Sequence, residues 1–317
     1  MESSATSVVP EKNTRRKWLE LLLDNPVITK ELKGRMRGRQ GFILLSAYLA
    51  LIGFFIGLVY LFLSVDGSLS RNDPGYLQIV GKIIFSTVVW LELLMVSFIG
   101  PALTSGAISS ERERQTFDLL RTSLLSGRAL VFGKLSSAVV FLLLLIFTAI
   151  PIQSMSFFLG GVGMAEMVIS IVMLVVSIFF FSALGLFFSS FTKRTLVSTV
   201  AAYASIMLSF IVMVLLFFFI LVFAGVASST NTFLSGISEE VLGISVWYLF
   251  STNSFFAAVA SEAILVSDQS IFFTTNGMLG TTSLPLPSPW IIYTVFHVIL
   301  TILLVMASIY FVNRPDK

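Results

Sequence analysis

The sequence predicts an all-α integral membrane protein with six transmembrane helices. Of its 317 residues, 56% are hydrophobic and only 12% are charged, and the mean hydropathy is +0.96. Soluble domains carry about 25% charged residues, and their cores cannot hide this much apolar surface. The apolar residues also form runs of about 20, the length that a helix needs to cross a bilayer. Six runs qualify, at roughly 42–63, 83–103, 136–158, 167–191, 195–227 and 290–312.

The distribution of basic residues predicts that both ends of the chain lie in the cytoplasm. With six crossings and the N-terminus inside, the inner segments hold 18 of the 20 lysines and arginines. Only Arg71 and Lys82 then lie outside. Basic residues accumulate on the cytoplasmic side of membrane proteins, most clearly in short segments next to the spans. We therefore expect a multi-pass protein of the plasma (inner) membrane, with residues 42–317 forming its transmembrane domain.

Residues 1–41 are expected to form a cytoplasmic tail and an amphipathic elbow helix at the membrane surface. They lack the short apolar core and cleavage site of a signal peptide, so we expect the first span to remain as an anchor. Asn25 is suited to cap a helix that begins at Pro26. The run 27–40 is basic with one apolar face, which is typical of an interfacial helix. This helix either anchors the chain or also acts as a lever that touches a cytoplasmic partner.

The long outer segment 228–289 contains no lysine or arginine. Within it, residues 241–266 are apolar enough to cross the membrane, but Ser251–Ser254 and Glu262 interrupt the run with polar groups. A full crossing would give seven spans and an external C-terminus. We expect instead a re-entrant helix or helical hairpin that dips into the outer leaflet, which is tolerated when packed against protein. The proline-rich run 284–290 then predicts a stiff linker into the last span.

The predicted cytoplasmic segment 104–135 lies between the second and third spans. A helix from about 111 to 125 would place charged residues of both signs in one sector, where they can pair: Glu111, Arg114, Asp118 and Arg121. An apolar stripe would lie beside them, formed by Phe117, Leu120 and Leu124. Gly127 is expected to end this amphipathic helix, because glycine tolerates the left-handed cap.

Glu113 falls on the apolar stripe, where a carboxylate is unusual. One interpretation is structural: Ser110 and Glu113 have the spacing of a capping box, in which each side chain bonds the backbone N–H of the other. The other interpretation is functional, with Glu113 contacting a partner or another cytoplasmic helix. The sequence leaves both open.

Glu92 lies near the middle of the second span. A charge at the bilayer centre costs about 2.5–3.5 kcal/mol on insertion scales, so Glu92 must face the protein interior or be protonated. It is either one side of an interhelical hydrogen bond, worth about 0.6 kcal/mol on average, or part of a substrate or ion path. His297, in the last span, is expected to be a packed, hydrogen-bonded residue.

The residue inventory excludes chemistry that depends on cysteine and argues against sites that need several histidines or a serine triad. The chain has no cysteine and one histidine, so we expect no catalytic, cofactor-binding or metal-binding residues. Gly127, Gly133 and Lys134 resemble a phosphate-binding loop only superficially. Five residues separate the two glycines where the motif needs four, and Leu135 stands where a serine or threonine should bind magnesium. We therefore expect that this chain does not hydrolyse ATP.

The segment 108–134 resembles the cytoplasmic segment of type-2 ABC transporter permeases. That pattern has an isoleucine, a Glu-Arg/Lys-Glu triplet, Gly-Thr, Leu-Leu, Thr-Pro and a later Gly-Lys. The matching residues here are Ile108, Glu111, Arg112, Glu113, Thr116, Leu119, Leu120, Thr122, Gly133 and Lys134. The run 25–39 is similar to the family's beginning, Asn-Pro followed by Lys/Arg-Glu-Leu and basic residues. Gln115 and Ser123 depart from the pattern, replacing its glycine and proline, and this leaves the turn after the helix unassigned.

The resemblance implies a permease subunit of an ABC-type exporter, which is a transport subunit and not an enzyme. Such permeases work as pairs, homodimeric or heterodimeric, and separate P-loop ATPase subunits bind the ATP. The elbow and a coupling helix would contact each ATPase. The implied ATPase-coupling residues are Glu111, Arg112, Glu113, Arg114, Thr116, Phe117, Leu120 and Arg121.

Membrane lipids are the other expected partners, and the net charge of +3 does not suggest nucleic-acid binding. The alternative to an exporter subunit is an ATPase-independent channel, secondary transporter or membrane scaffold. Ion-coupled carriers usually keep several charges near the midplane, and this chain has one clear case, Glu92. The sequence therefore favours the ABC interpretation, without indicating a cargo.

Overall fold

The computed structural model describes residues 39–66, 75–117, 126–229, 239–267, 270–277 and 280–314. In these ranges, six helices are long and apolar enough to cross a membrane, as the sequence predicts for a multi-pass membrane protein. They are α1 (Arg39–Asp66), α2 (Tyr76–Thr104), α4 (Gly127–Phe158), α5 (Met164–Phe191), α6 (Thr195–Ser229) and α9 (Pro289–Asn313). The elbow helix predicted before residue 39 lies outside the described residues.

Helix α5 forms the centre of the bundle and packs mainly against α2 and α9. Small residues permit the close approach of α2. A Cβ atom on Gly185 would lie 2.8 Å from Pro101 Cα and would also overlap Thr104 Oγ1. About half of the most apolar part of α5 is buried, whereas the corresponding parts of α1 and α6 are 11% and 6% buried. Helices α1 and α6 are therefore peripheral and leave apolar faces uncovered.

The apolar stretch within 241–266 is not one continuous helix. It is divided into α7 (Glu239–Ser251) and α8 (Ser254–Ser267). The break has a local cause, because Asn253 Oδ1 accepts hydrogen bonds from the backbone N–H groups of Phe255 and Phe256 and caps α8. At 1.5 Å per residue, each helix is about 20 Å long, short of the ~30 Å hydrocarbon layer. The segment is therefore two short helices, and the predicted re-entrant helix or hairpin in the outer leaflet stays a prediction.

A small antiparallel sheet follows these helices and was not expected from the sequence. Strands β1 (Phe273–Gly277) and β2 (Gly280–Pro287) pair from Gly277 with Gly280 to Phe273 with Pro287, with an irregularity near Asn276. The run 284–287 is therefore strand and not a simple linker. Proline is compatible with an edge position, since a two-stranded sheet consists only of edge strands. Indole N–H groups attach the sheet to neighbouring helices, from Trp247 to Pro287 O and from Trp290 to Ile271 O.

Candidate functional site

The short helix α3 (Ser109–Glu113) follows directly after α2. Its N-terminus is satisfied by a residue from α5, because the hydroxyl oxygen of Ser189 accepts the N–H groups of Ile108 and Ser109 at 2.8 and 3.0 Å. The predicted capping box between Ser110 and Glu113 is therefore wrong. The helix begins two residues before the predicted position, and Ile108 occupies the cap position without a side-chain cap bond.

The predicted helix from 111 to 125 is also interrupted, and α3 ends at Glu113. The backbone of Gln115 is left-handed, with φ of 58°. The N–H of Gln115 bonds the carbonyl of Arg112, and the N–H of Thr116 bonds the carbonyl of Glu111. These two bonds and the left-handed residue form a Schellman motif, which closes a helix C-terminus. The Thr116 hydroxyl strengthens the closure by donating to Glu111 Oε2 at 2.5 Å.

Arg112 attaches the segment to the end of α5. Its Nη1 donates to the backbone carbonyl of Ser190 at 2.9 Å, and its guanidinium lies 4.8 Å from the centre of the Phe117 ring. Such a cation–π contact contributes about 0.5–1 kcal/mol at exposed sites. Arg112 is therefore engaged within the chain, whereas Arg114, two residues on, is exposed to solvent.

Glu113 turns away from the predicted apolar stripe and binds the start of α6. Its Oε2 accepts the Thr195 hydroxyl at 2.6 Å and the Thr195 backbone N–H at 3.2 Å. These bonds lower the pKa of the Glu113 carboxyl, the hydroxyl bond contributing most. A carboxylate also suits this position electrostatically, because α6 begins at Thr195 and helix N-termini attract negative charge. Glu113 remains exposed, so it is accessible to a partner.

Glu111 reaches the third long helix, α4. Its Oε1 lies 3.6 Å from Lys134 Nζ, an ion pair that is largely shielded from solvent on the lysine side.

Gly133 and Lys134 lie inside α4, so they do not form a phosphate-binding loop. Gly127 was predicted to end a helix, but it is the first residue of α4. The side chain of Ser126 accepts the N–H of Ala129 and caps α4.

The segment therefore contacts α4, α5 and α6 through three consecutive residues, Glu111, Arg112 and Glu113. Of the predicted coupling residues, the structure also places Thr116 and Phe117 against this segment, while Leu120 and Arg121 lie outside the described residues. Sequence reasoning missed Ser189. The sequence feature that could have identified Ser189 is the polar pair Ser189–Ser190 at the end of an otherwise apolar helix.

Glu92 is fully buried and joins three long helices. Its Oε1 accepts the hydroxyl of Tyr48 from α1 at 3.2 Å, and its Oε2 accepts Nε2 of Gln153 from α4 at 2.6 Å. The geometry is that of the predicted interhelical hydrogen bond, made twice. Gln153 Oε1 is buried without a hydrogen-bond partner among the described residues.

His297 is packed as expected. Its Nδ1 lies 3.0 Å from the carbonyl oxygen of Tyr293, and its ring meets the Phe180 ring edge to face at 4.5 Å. In the described part of the chain, no group of three His, Cys, Asp or Glu side chains could hold a metal ion.

Comparison with known proteins does not assign the chain to a family. No protein-family model matches the sequence, and no curated protein sequence matches it.

Proposed function

We propose that this chain is the permease subunit of an ABC-type exporter, driven by separate P-loop ATPase subunits. The single observation that carries the proposal is the attachment of α3 to the ends of α4, α5 and α6. An ATPase that pushes on α3 at the predicted cytoplasmic surface would move three long helices, because Glu111, Arg112 and Glu113 bond to them. A subunit that converts the motion of a docked ATPase into helix movement needs such a connection.

The conformation of Gln115 supports the resemblance on which the proposal rests. The permease pattern has glycine at this place, and the backbone of Gln115 is left-handed, a conformation that glycine adopts without strain. The departure from the family pattern is therefore in the side chain, and the turn itself is of the kind that the usual glycine would favour.

The exposed apolar faces of α1 and α6 are consistent with a second permease chain or with lipid contact. The spans of a single chain would then form one half of a substrate path. The alternative, an ATPase-independent channel or carrier, gains no support from Glu92, because two side chains of the chain already bond its carboxylate.

Co-purification with a P-loop ATPase from the native membrane tests the proposal. The full chain should capture such an ATPase and increase its hydrolysis rate in vesicles. Arg114→Glu should weaken the complex, since Arg114 is exposed directly after the end of α3. Arg71→Glu, on the predicted outer side, is the matched charge-reversal control and should leave the complex intact. ATP-independent transport by the chain alone would replace the proposal with the channel or carrier.

A further inference from the structure

The small sheet begins with three consecutive apolar side chains that no described part of the chain covers. Phe272 and Phe273 are 56% and 59% exposed, and Ile271 before them is also exposed. On the sheet face opposite Phe273, by contrast, the paired residues Thr274 and Leu286 are buried. We call residues 271–273 the apolar edge. Removing this edge from water would be favourable, so the surface that lies beside it matters.

Backbone hydrogen bonds fix the level of the apolar edge relative to α9. The N–H of Ser288, the residue before α9, bonds the carbonyl of Phe272 at 2.9 Å. The indole N–H of Trp290, in the first turn of α9, bonds the carbonyl of Ile271 at 2.8 Å. The ring centres of Phe272 and Trp290 are 6.1 Å apart. The apolar edge is therefore level with the first turn of the last long helix.

The length of α9 gives the depth of that first turn. The helix has 25 residues, which at 1.5 Å per residue makes it about 37 Å long. The hydrocarbon layer is ~30 Å thick, and the bilayer with its headgroup layers is about 40–45 Å thick. When α9 crosses the bilayer, its ends therefore fall in the headgroup layers. Tryptophan is enriched at this depth, and Trp290 lies in the first turn.

The sequence around the apolar edge carries no charge that would oppose contact with lipid. Between Asp268 and Arg314 the chain contains no lysine, arginine, aspartate or glutamate. Interfacial elements of proteins bury their apolar side chains about 5–10 Å into the boundary between headgroups and acyl chains. The depth of the edge, its exposure and its lack of charge all match that environment.

We propose that the apolar edge inserts into the phospholipid leaflet on the side of the membrane predicted to be outer. Phe272 and Phe273 lie at the boundary between headgroups and acyl chains. The lipids need no particular headgroup charge, because the edge has no charged side chain. The sheet then attaches α7 and α9 to the membrane surface through Trp247 and Trp290. This contact goes beyond the proposed transport function and requires no ATPase.

Nitroxide labels on single cysteines of the full chain test the contact, since the native chain has no cysteine. In phosphatidylcholine nanodiscs, labels at Phe272→Cys and Phe273→Cys should collide readily with oxygen, which partitions into lipid, and poorly with a water-soluble nickel chelate. Leu284→Cys is the matched control. Leu284 is 61% exposed on the same sheet but lies ~10 Å along β2 from the end that joins α9, so its label should meet mainly the nickel chelate.

The collision rates distinguish lipid, water and protein around each label. An oxygen-to-nickel ratio several-fold higher at Phe272 and Phe273 than at Leu284 supports the proposal. Equal ratios at the three positions overturn it. Poor collision with both reagents at the two phenylalanine positions also overturns it, because such labels are covered by protein, as in a contact with a second copy of the chain. Monodisperse elution of each variant verifies its fold.

A second variant keeps an aromatic ring in the edge and so protects the test against misfolding of the cysteine variants. The emission that Phe272→Trp adds to that of the four native tryptophans should be quenched by phosphatidylcholine brominated near the headgroup end of its acyl chains. Leu284→Trp is the control, and its added emission should be quenched several-fold less. Equal quenching of the two variants overturns the proposal. No ATPase is present, so these results are independent of whether the permease proposal holds.

Discussion

Thr195 donates two hydrogen bonds to the same carboxylate oxygen, Glu113 Oε2, from its hydroxyl at 2.6 Å and from its backbone nitrogen at 3.2 Å. The pair joins the last residue of α3 to the first residue of α6 across 82 positions of sequence. The contact rules out the capping-box interpretation of Glu113, and a contact of Glu113 with a partner stays a prediction.

Glu113→Ala should loosen the start of α6, because it removes both bonds. Thr195→Val should have a smaller effect, since its backbone N–H can still donate. Amide hydrogen exchange at residues 195–199 measures this, and ATPase stimulation in vesicles measures its consequence for the proposed coupling. Ser110→Ala is the control, because Ser110 does not cap α3. Equal effects of Ser110→Ala and Glu113→Ala would contradict the assigned contact.

Gln115→Gly should stabilise the α3 turn by about 1 kcal/mol, because a left-handed backbone strains every residue with a Cβ atom. Gln115→Val should destabilise it, since β-branched residues tolerate positive φ least. Thermal unfolding of the purified chain measures both changes. A lower unfolding temperature for the glycine variant than for the valine variant would show that the turn is not left-handed.

Glu92→Gln should be tolerated, with a loss of about 0.6 kcal/mol, because an amide retains hydrogen-bonding capacity inside the bundle. Glu92→Lys should sharply reduce the yield of folded protein, because it buries an unpaired cation at a cost of about 2.5–3.5 kcal/mol. Size-exclusion profiles of the two variants measure the difference. Similar folded yields would rule out the buried position.

Exchanging the two partners provides a stricter test of the same contact. Gln153→Glu alone places two acids together and should destabilise the chain, whereas adding Glu92→Gln should restore stability. If the double variant does not regain the stability of the unmodified chain, the contact between Gln153 and Glu92 is contradicted. A well-folded Glu92→Gln protein without transport activity would assign Glu92 a role in the substrate path.

Gly185→Ala should destabilise the bundle by about 1–3 kcal/mol, because its Cβ atom would overlap α2 at Pro101 and Thr104. Gly57→Ala is the matched control on α1, where a Cβ atom meets nothing within 4 Å. It should be neutral or slightly stabilising, since alanine favours helix over glycine. Unfolding temperatures of the two variants test the α2–α5 crossing, and equal values would argue against it.

Cysteine labelling tests the predicted orientation, since the native chain has no cysteine. An impermeant maleimide should label Leu284→Cys in intact cells, because Leu284 is exposed on β2. Arg114→Cys should react only after permeabilisation. Labelling of Arg114→Cys from outside would reverse the orientation inferred from the basic residues.

The sequence by itself determined the six long helices, because a span is defined by the length and hydropathy of one continuous segment. It also indicated the break between α7 and α8, since the polar run Ser251–Ser254 supplies the cap for α8 locally. The strands β1 and β2 were missed because both are short, β2 contains prolines, and neither shows a clear strand periodicity.

Only the tertiary structure decided what the polar residues do. Glu92 was identified from its position, but Tyr48 and Gln153 come from helices 44 and 61 residues away. Ser110 and Glu113 have capping spacing, yet Ser189 supplies the cap and Thr195 takes the carboxylate. Hydropathy is a property of a segment, whereas a hydrogen-bond partner depends on which helices pack together, and that packing brings together residues far apart in the chain.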